Sequence, residues 1–287
     1  MDLCNEKDIR ALLGRHGFRF SKSMGQNFLI EGWVPRDIAE ASGAGPDTGV
    51  LEIGPGIGVL TKELSAVCGR VAAVELDRRL PDVLAETLAD CPNVQVVPGD
   101  VLQMDLQALF ADQFAGCDRL QVCANLPYYI TTPVLMRLLE SELPIERLVV
   151  MVQLEAAKRL CAPLGARDCG AVSAAVEYYT QAEILFEVGR ESFYPSPNVD
   201  SAVIALTRRQ QPPVQVTDEG YFFRVVKGAF LQRRKTLANS LNAALGVPKA
   251  ELTALFQSLG LSATVRAEQL TMSQMAALAN ALYEKKA

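Results

Sequence analysis

Histidine is nearly missing from this sequence: 287 residues hold only His16. That scarcity excludes most zinc sites, and it excludes Ser-His and Cys-His nucleophile schemes unless His16 serves alone. Seven cysteines, at 4, 68, 91, 117, 123, 161 and 169, form no CxxC pair and are odd in number. A secreted disulfide framework is therefore not expected, and reduced thiols in a cytoplasm are. No apolar run approaches the roughly 18 residues of a membrane span. The opening MDLCNEKDIR is polar, without the apolar stretch of a secretory signal. Internal repeats and low-complexity tracts are also absent. The expectation is a cytoplasmic globular protein with no metal and no membrane contact. Its length suits one large domain, or a large and a small one. Its chemistry should do without a histidine base.

Positive charge is short overall, and its distribution is uneven. The net charge is -5. Residues 1–208 carry 18 Lys and Arg against 28 Asp and Glu, whereas residues 209–287 carry 10 against 5. Residues 7–30 add a second basic region: Lys7, Arg10, Arg15, Arg19 and Lys22 against Asp8 alone. Such asymmetry fits polyanion binding at both ends of an acidic body. It equally fits an unevenly charged solvated surface.

Short apolar runs alternate with helical patterns. VLEI (50–53) leads through glycines into GVLTKELSAV, where Leu60, Leu64 and Val67 recur at helical spacing. VAAVE (71–75), VQVVPGD (94–100), LQVCANLPYY (120–129) and RLVVMVQ (147–153) follow as strands. Between them lie helices through Leu80–Leu88, near Leu106–Phe110 and from Pro133, with one more near 154–161. This rhythm predicts an α/β fold with a doubly wound, Rossmann-like parallel sheet. AEILFEV (182–188) and SAVIAL (201–206) are expected as an antiparallel pair at one end. A Gln/Pro stretch at 210–213 reads as a linker, and the rest as a small all-α domain of about four helices. The expected domains are thus 1–209, with a basic N-terminal arm, and 210–287.

Three successive strand ends carry polar chemistry. Gly54, Gly56 and Gly58 follow the first strand, Glu75 ends the second and Asp100 ends the third. Glycines at a helix N-terminus allow a tight turn and close backbone approach to a ligand. A carboxylate at Glu75 could accept both hydroxyls of a ribose, and Asp100 could accept from an adenine amine. The glycines alone equally fit a structural turn, and the acids could instead cap the next helices. Their coincidence on one sheet edge points to a nucleoside site. The third glycine is one position too early for a dinucleotide fingerprint, and no P-loop lysine follows. Glu52, if it faces the site, would repel a pyrophosphate. A cationic nucleoside such as S-adenosylmethionine suits the loop better.

Asn125-Leu126-Pro127-Tyr128 follows the fourth strand. An exocyclic adenine amine is a poor nucleophile because its lone pair is delocalised into the ring. The Asn125 side-chain oxygen and the Leu126 carbonyl could accept from that amine and favour a pyramidal nitrogen. Pro127 fixes the turn, and Tyr128 offers a ring on which an extruded base can stack. A turn with a buried tyrosine is the plainer alternative.

The motifs MGQNFL (24–29), EIGPGIGVLT (52–61), VELD (74–77), GD (99–100), NLPYYITTPVL (125–135), FYPSPNVDSAV (193–203) and FLQRRKTLANSL (230–241) carry a resemblance. Over nearly its whole length the chain resembles the bacterial small-subunit (16S) rRNA adenine N6-dimethyltransferases, the family linked to kasugamycin sensitivity. The resemblance implies a methyltransferase using S-adenosylmethionine, bound through Asn27, Leu29, Gly54, Gly56, Glu75, Asp100 and Asn125. It implies target-base contacts at Asn125, Leu126, Tyr128 and Phe193. It further implies transfer of four methyl groups to two adjacent adenines near the 3′ end of 16S rRNA, within the small ribosomal subunit or its precursor. Arg19, Lys22, Arg233, Arg234 and Lys235, the last three opening a helix, are expected to bind the RNA. Cys169 stands where the family has tyrosine and Leu154 where it has lysine.

Three other readings compete. The macrolide-resistance methyltransferases of large-subunit (23S) rRNA share the fold and a similar Asn-x-Pro-aromatic motif, but the RRKTLANSL stretch and long helical tail favour the small-subunit group. A non-catalytic ribosome-assembly factor would not need an intact Asn125–Tyr128 and Glu75. A nicotinamide-dependent dehydrogenase fails on glycine spacing. His16 reads as a surface residue or RNA contact, and Cys117, Cys123 and Cys161 read as thiols rather than ligands.

Overall fold

The computed structural model describes residues 1–18, 26–232 and 234–285. Arg19, Lys22 and Arg233 therefore lie outside the described residues. The chain divides into two compact units: Met1–Ala157 with Glu183–Arg208, and Lys158–Ala182 with Arg209–Ala287.

The first unit opens with α1 (Glu6–Arg15), whose N-terminus is capped by the Asn5 side chain accepting from the Lys7 and Asp8 amides. The strand β1 (Phe28–Leu29) and α2 (Trp33–Ser42) follow. Then comes the expected alternation: β2 (Thr48–Ile53), α3 (Val59–Val67), β3 (Arg70–Glu75), α4 (Pro81–Thr87), β4 (Val94–Pro98), α5 (Leu106–Gln113), β5 (Arg119–Asn125), α6 (Thr131–Leu139) and β6 (Ile145–Gln153). The chain continues through α7 (Leu154–Cys161), α8 (Ala171–Tyr179), β7 (Thr180–Val188), β8 (Phe193–Tyr194) and β9 (Ser201–Arg208).

Seven strands form one sheet in the order β4-β3-β2-β5-β6-β9-β7. The β2–β3, β3–β4, β2–β5 and β5–β6 pairs are parallel, and β9 runs antiparallel to β6. The chain winds outward from β2 in both directions, so a topological switch point lies between β2 and β5. The central strands are buried on both faces, as their unbroken apolar runs require: Val50, Leu51, Val71, Ala72, Val122 and Val150 are fully buried. As expected, β7 and β9 are neighbours at one end of the sheet.

The N-terminal segment is not an arm. Ile9, Leu12 and Leu13 of α1 are buried in the main core. Burial of each is worth roughly 1.5–3 kcal/mol. The spacing i, i+3, i+4 makes one apolar stripe, and the charged residues fall on the opposite side.

The second unit contains α8, α9 (Glu219–Ala229), α10 (Leu237–Leu245), α11 (Lys249–Ser258) and α12 (Met272–Glu284). The four helices expected after residue 210 are present. The expected boundary at 209/210 falls beside the seam at 208/209, but Lys158–Ala182 groups with the helices. The reason is aromatic packing: Tyr178 and Tyr179 of α8 contact Phe222 and Phe223 of α9, with ring centroids 5.2–5.4 Å apart. Helix α10 begins at Leu237 with Thr236 as its cap. Arg234 and Lys235 thus precede that helix in a turn rather than opening it, because the Thr236 hydroxyl accepts from the Asn239 amide.

Candidate active site

One cavity lies at the carboxyl ends of β2, β3, β4 and β5, within the first unit. Its lining includes Asn27, Leu29, Gly54, Gly56, Glu75, Asp100, Asn125, Leu126, Tyr128 and Phe193. All the residues predicted for cofactor and target base therefore meet in one place.

Two long-range pairings build its front. Strands β1 and β8 pair antiparallel, setting Phe28 opposite Tyr194 and Leu29 opposite Phe193. Residues 28–29 and 193–194 are thereby joined at the cavity, though far apart in sequence. The loop glycines all have positive φ, at 71° for Gly54, 60° for Gly56 and 88° for Gly58. At Gly54 a Cβ would meet nothing within 4 Å, so the backbone there faces open space. The loop leads into α3, whose N-terminal amides favour a polar ligand.

The acids are held by backbone donors. Glu75 accepts from the Asp77 amide through Oε1 (2.8 Å) and from the Gly56 amide through Oε2 (3.2 Å). Each oxygen keeps a second lone pair. Burial raises the Glu75 pKa, and these two bonds oppose that rise. Asp100 accepts from the Leu102 amide at 2.9 Å, so it also caps the turn after β4. Glu52 faces the cavity and is 1% exposed. Burial pushes its carboxyl up to about 8, and among the described residues neither its Oε2 nor the Thr61 hydroxyl has a hydrogen-bond partner. Three acids line the cavity, with no Lys or Arg among the described lining residues. With no cation to neutralise a pyrophosphate and with carboxyl oxygens to accept from hydroxyls and amines, the lining suits a cationic nucleoside better.

The other wall is organised around β5. The Asn125 amide nitrogen donates to the Asn27 carbonyl at 3.4 Å, leaving its oxygen unpartnered among the described residues. Leu126 is buried, and its amide donates to the Met151 carbonyl at 3.1 Å. Pro127, at φ -54° and ψ 131°, leads into a 3-10 turn at Tyr128–Ile130. The Tyr128 hydroxyl is fixed on Ser201 at 2.8 Å. Phe193 is 3% exposed.

Sequence reasoning missed a brace beside the cavity. Asp77 is buried and accepts from Gln26 Nε2 (2.7 Å) and from Arg79 Nε (2.8 Å) and Nη2 (2.5 Å). Arg79 lowers its carboxyl to about 2. The second acid of VELD was the available signal. Leu76, 46% exposed and on the cavity rim, was also missed. The cationic predictions divide. Arg10 pairs with Glu6 at 2.6 Å and lies over the Tyr194 ring, and Arg15 pairs with Glu86. These two are held within the molecule, because Glu6 and Glu86 lie within their reach. His16 also meets Glu86, at 2.7 Å. Arg234 and Lys235 are exposed and form no ion pair among the described residues. Cys169 is buried, with its thiol against the Glu268 carbonyl, and Leu154 begins α7. No group of His, Cys, Asp and Glu among the described residues could hold a metal ion, and no described helix is long and apolar enough to cross a membrane.

Residues 17–284 match the family model described as "Ribosomal RNA adenine dimethylase". The chain is 48% identical over 284 residues to the ribosomal RNA small subunit methyltransferase A of Geobacillus thermodenitrificans, covering 98% of this chain and 97% of the relative. It is 44% identical to the protein of that name from Bacillus mycoides, with the same coverage. Among solved structures, the 23S rRNA methyltransferase ErmE is similar with a TM-score of 0.67 and 27% identity, over 88% of this chain and 98% of that one. A dimethyladenosine transferase from Plasmodium falciparum shares the fold, with a TM-score of 0.75 and 23% identity over 90% of this chain and 98% of that one. With its glycine loop, acids and Asn-Leu-Pro-Tyr turn gathered on one sheet edge, this chain belongs to the ribosomal RNA adenine dimethylase family.

Proposed function

We propose that the protein transfers methyl groups from S-adenosylmethionine to the N6 amines of two adjacent adenines in the 3′-terminal hairpin loop of 16S rRNA, and that it acts on the small subunit or its precursor. The observation that carries this reading is the orientation of Asn125. Its amide nitrogen is committed to the Asn27 carbonyl, so its oxygen is the atom available to a substrate amine. An enzyme that must accept from an N–H donor needs that arrangement.

Bound S-adenosylmethionine supplies a methyl group on a positively charged sulfur. Glu75 holds the ribose hydroxyls with the lone pairs that the Gly56 and Asp77 amides leave free. Asp100 receives the adenine amine in the same way. On the other wall, Tyr128 and Phe193 stack on the extruded target base. The Asn125 oxygen and the Leu126 carbonyl accept from its amine. Two acceptors on one nitrogen favour a pyramidal geometry and free the lone pair for attack. As the N–C bond forms the methyl group's bond to sulfur would break, leaving the electron pair on a neutral thioether; the nitrogen's proton becomes acidic and passes to water, so no histidine is required. The Tyr128 phenol is held above its ordinary pKa by burial, so it stays protonated and bonded to Ser201.

The deciding measurement is transfer from labelled S-adenosylmethionine to unmodified small subunits, with unmodified large-subunit RNA in parallel. Label confined to dimethyladenosine in 16S rRNA is expected. Label in large-subunit RNA alone would overturn the assignment.

A further inference from the structure

Large apolar side chains on the surface are few: Met1, Trp33, Leu76, Tyr129, Ile184, Val199 and Leu231. Only Leu76 and Tyr129 of these border the cavity. Leu76 stands between Glu75 and Asp77, on the cofactor wall. Tyr129 stands on the target wall, 55% exposed, with no hydrogen bond, ion pair or ring contact among the described residues. More than half of this aromatic side chain is open to water beside the cavity.

Its backbone is nevertheless firmly set. Tyr129 is the middle residue of the 3-10 turn that Pro127 begins, and the Ile130 amide closes that turn on the Pro127 carbonyl at 3.1 Å. Side chains of a 3-10 turn diverge by about 120° per residue. Tyr128 and Tyr129 therefore cannot stack on one base. Tyr128 is tied inward through Ser201, and Tyr129 points outward from the same turn. A nucleotide extruded into the cavity also strips its strand neighbour of a stacking partner. An exposed ring carried on a fixed backbone turn, one residue from the base platform, suits that neighbour.

We propose that Tyr129 forms a second base subsite, stacking the nucleobase next in the strand to the one being methylated. This rests on the reading of the chain as an RNA adenine methyltransferase. For a substrate of two adjacent adenines, the seat holds one while the other reacts.

The test pairs protein and RNA changes in a cycle. The full-length protein, Tyr129→Ala and Tyr129→Phe are each given small subunits reconstituted with intact 16S rRNA. They are also given subunits with an abasic nucleotide 5′ or 3′ of the target adenine. On intact RNA, Tyr129→Ala should raise KM about tenfold, within the range of one lost base–aromatic stack, whereas Tyr129→Phe stays within about twofold. One of the two abasic substrates should raise the KM of the unaltered protein by a similar factor and add nothing to Tyr129→Ala. Equal penalties of both abasic substrates on the two proteins would overturn the subsite. So would a loss of S-adenosylmethionine affinity in Tyr129→Ala by calorimetry, which would make the ring part of the cofactor wall. If the unaltered protein methylates no adenine in any subunit, the functional reading itself fails and the subsite falls with it. Normal methylation with an indifferent Tyr129 removes the subsite alone.

Discussion

The two walls of the cavity treat their polar atoms in opposite ways. On the cofactor wall, Glu75 and Asp100 are already bonded to backbone amides, so their carboxylates are fixed before any ligand arrives. On the target wall, the Asn125 oxygen and the Leu126 carbonyl have no protein partner among the described residues. A preformed wall binds a small cofactor at little ordering cost. In the proposed reaction, open acceptors keep their interaction for the amine, where it strengthens as the nitrogen changes geometry. The contrast predicts that damage to one wall appears in affinity and damage to the other in rate.

The largest effect should follow Asn125→Ala. It removes the acceptor proposed for the reacting nitrogen, and loss of a comparable preorganised group costs on the order of 100-fold in turnover. Cofactor affinity should fall only modestly. Single-turnover methylation on small subunits, with calorimetry alongside, separates the two. Near-normal turnover would show that the open acceptors play no part in the chemistry.

Glu75→Ala tests the opposite wall and should act on affinity. Each charge-assisted hydrogen bond contributes about 1.5–3 kcal/mol, so S-adenosylmethionine should bind at least about tenfold more weakly. The melting temperature should also fall, because the Gly56 and Asp77 amides lose their acceptor. Unchanged affinity by calorimetry would remove the ribose assignment.

How much of this was visible in the sequence depends on the range of the interaction. The glycine loop, Glu75, Asp100 and Asn125 each sit at the end of a strand whose apolar run is local and continuous, so periodicity placed them on one edge. The pairing of β1 with β8 involves two residues from each strand, and no local pattern marks it. The family motifs brought Asn27 and Phe193 to the site, but the residues alone did not. Helix α1 was read through its charges, and its three buried side chains were overlooked. Helix α8 belongs with the C-terminal helices because Tyr178 and Tyr179 meet Phe222 and Phe223, a contact set by packing alone.

The contrast extends to charge. Arg10 and Arg15 are occupied by Glu6 and Glu86, whereas Arg234 and Lys235 have no ion pair among the described residues. Changing Arg234 and Lys235 to Ala should weaken RNA binding several-fold and flatten its salt dependence by about one to two log units per log unit of salt. Phosphate contacts position without specifying, so the loss should be uniform across RNA sequences. An unchanged slope with a lower melting temperature would mean that both cations serve the fold.

The smallest effect concerns a buried carboxyl oxygen of Glu52 that has no hydrogen-bond partner among the described residues. Glu52 is buried and its carboxyl is raised to about 8. Below about pH 4.5 it is protonated in folded and unfolded chains alike. Between about 4.5 and 8 the folded protein keeps a proton that the unfolded chain has released, so stability falls as pH rises through that window and levels off above it. Glu75, also raised by burial, adds to the same slope but is present in both proteins compared. Glu52→Gln keeps the shape while removing the titration. The variant and its parent should melt within about a degree of each other at pH 5, and the variant should melt several degrees higher at pH 8, since 1 kcal/mol shifts a chain of this size by about 2–4 °C. Parallel melting profiles from pH 5 to 8 would mean that Glu52 is ionised throughout, and that the cofactor wall holds a full negative charge before a cationic ligand reaches it.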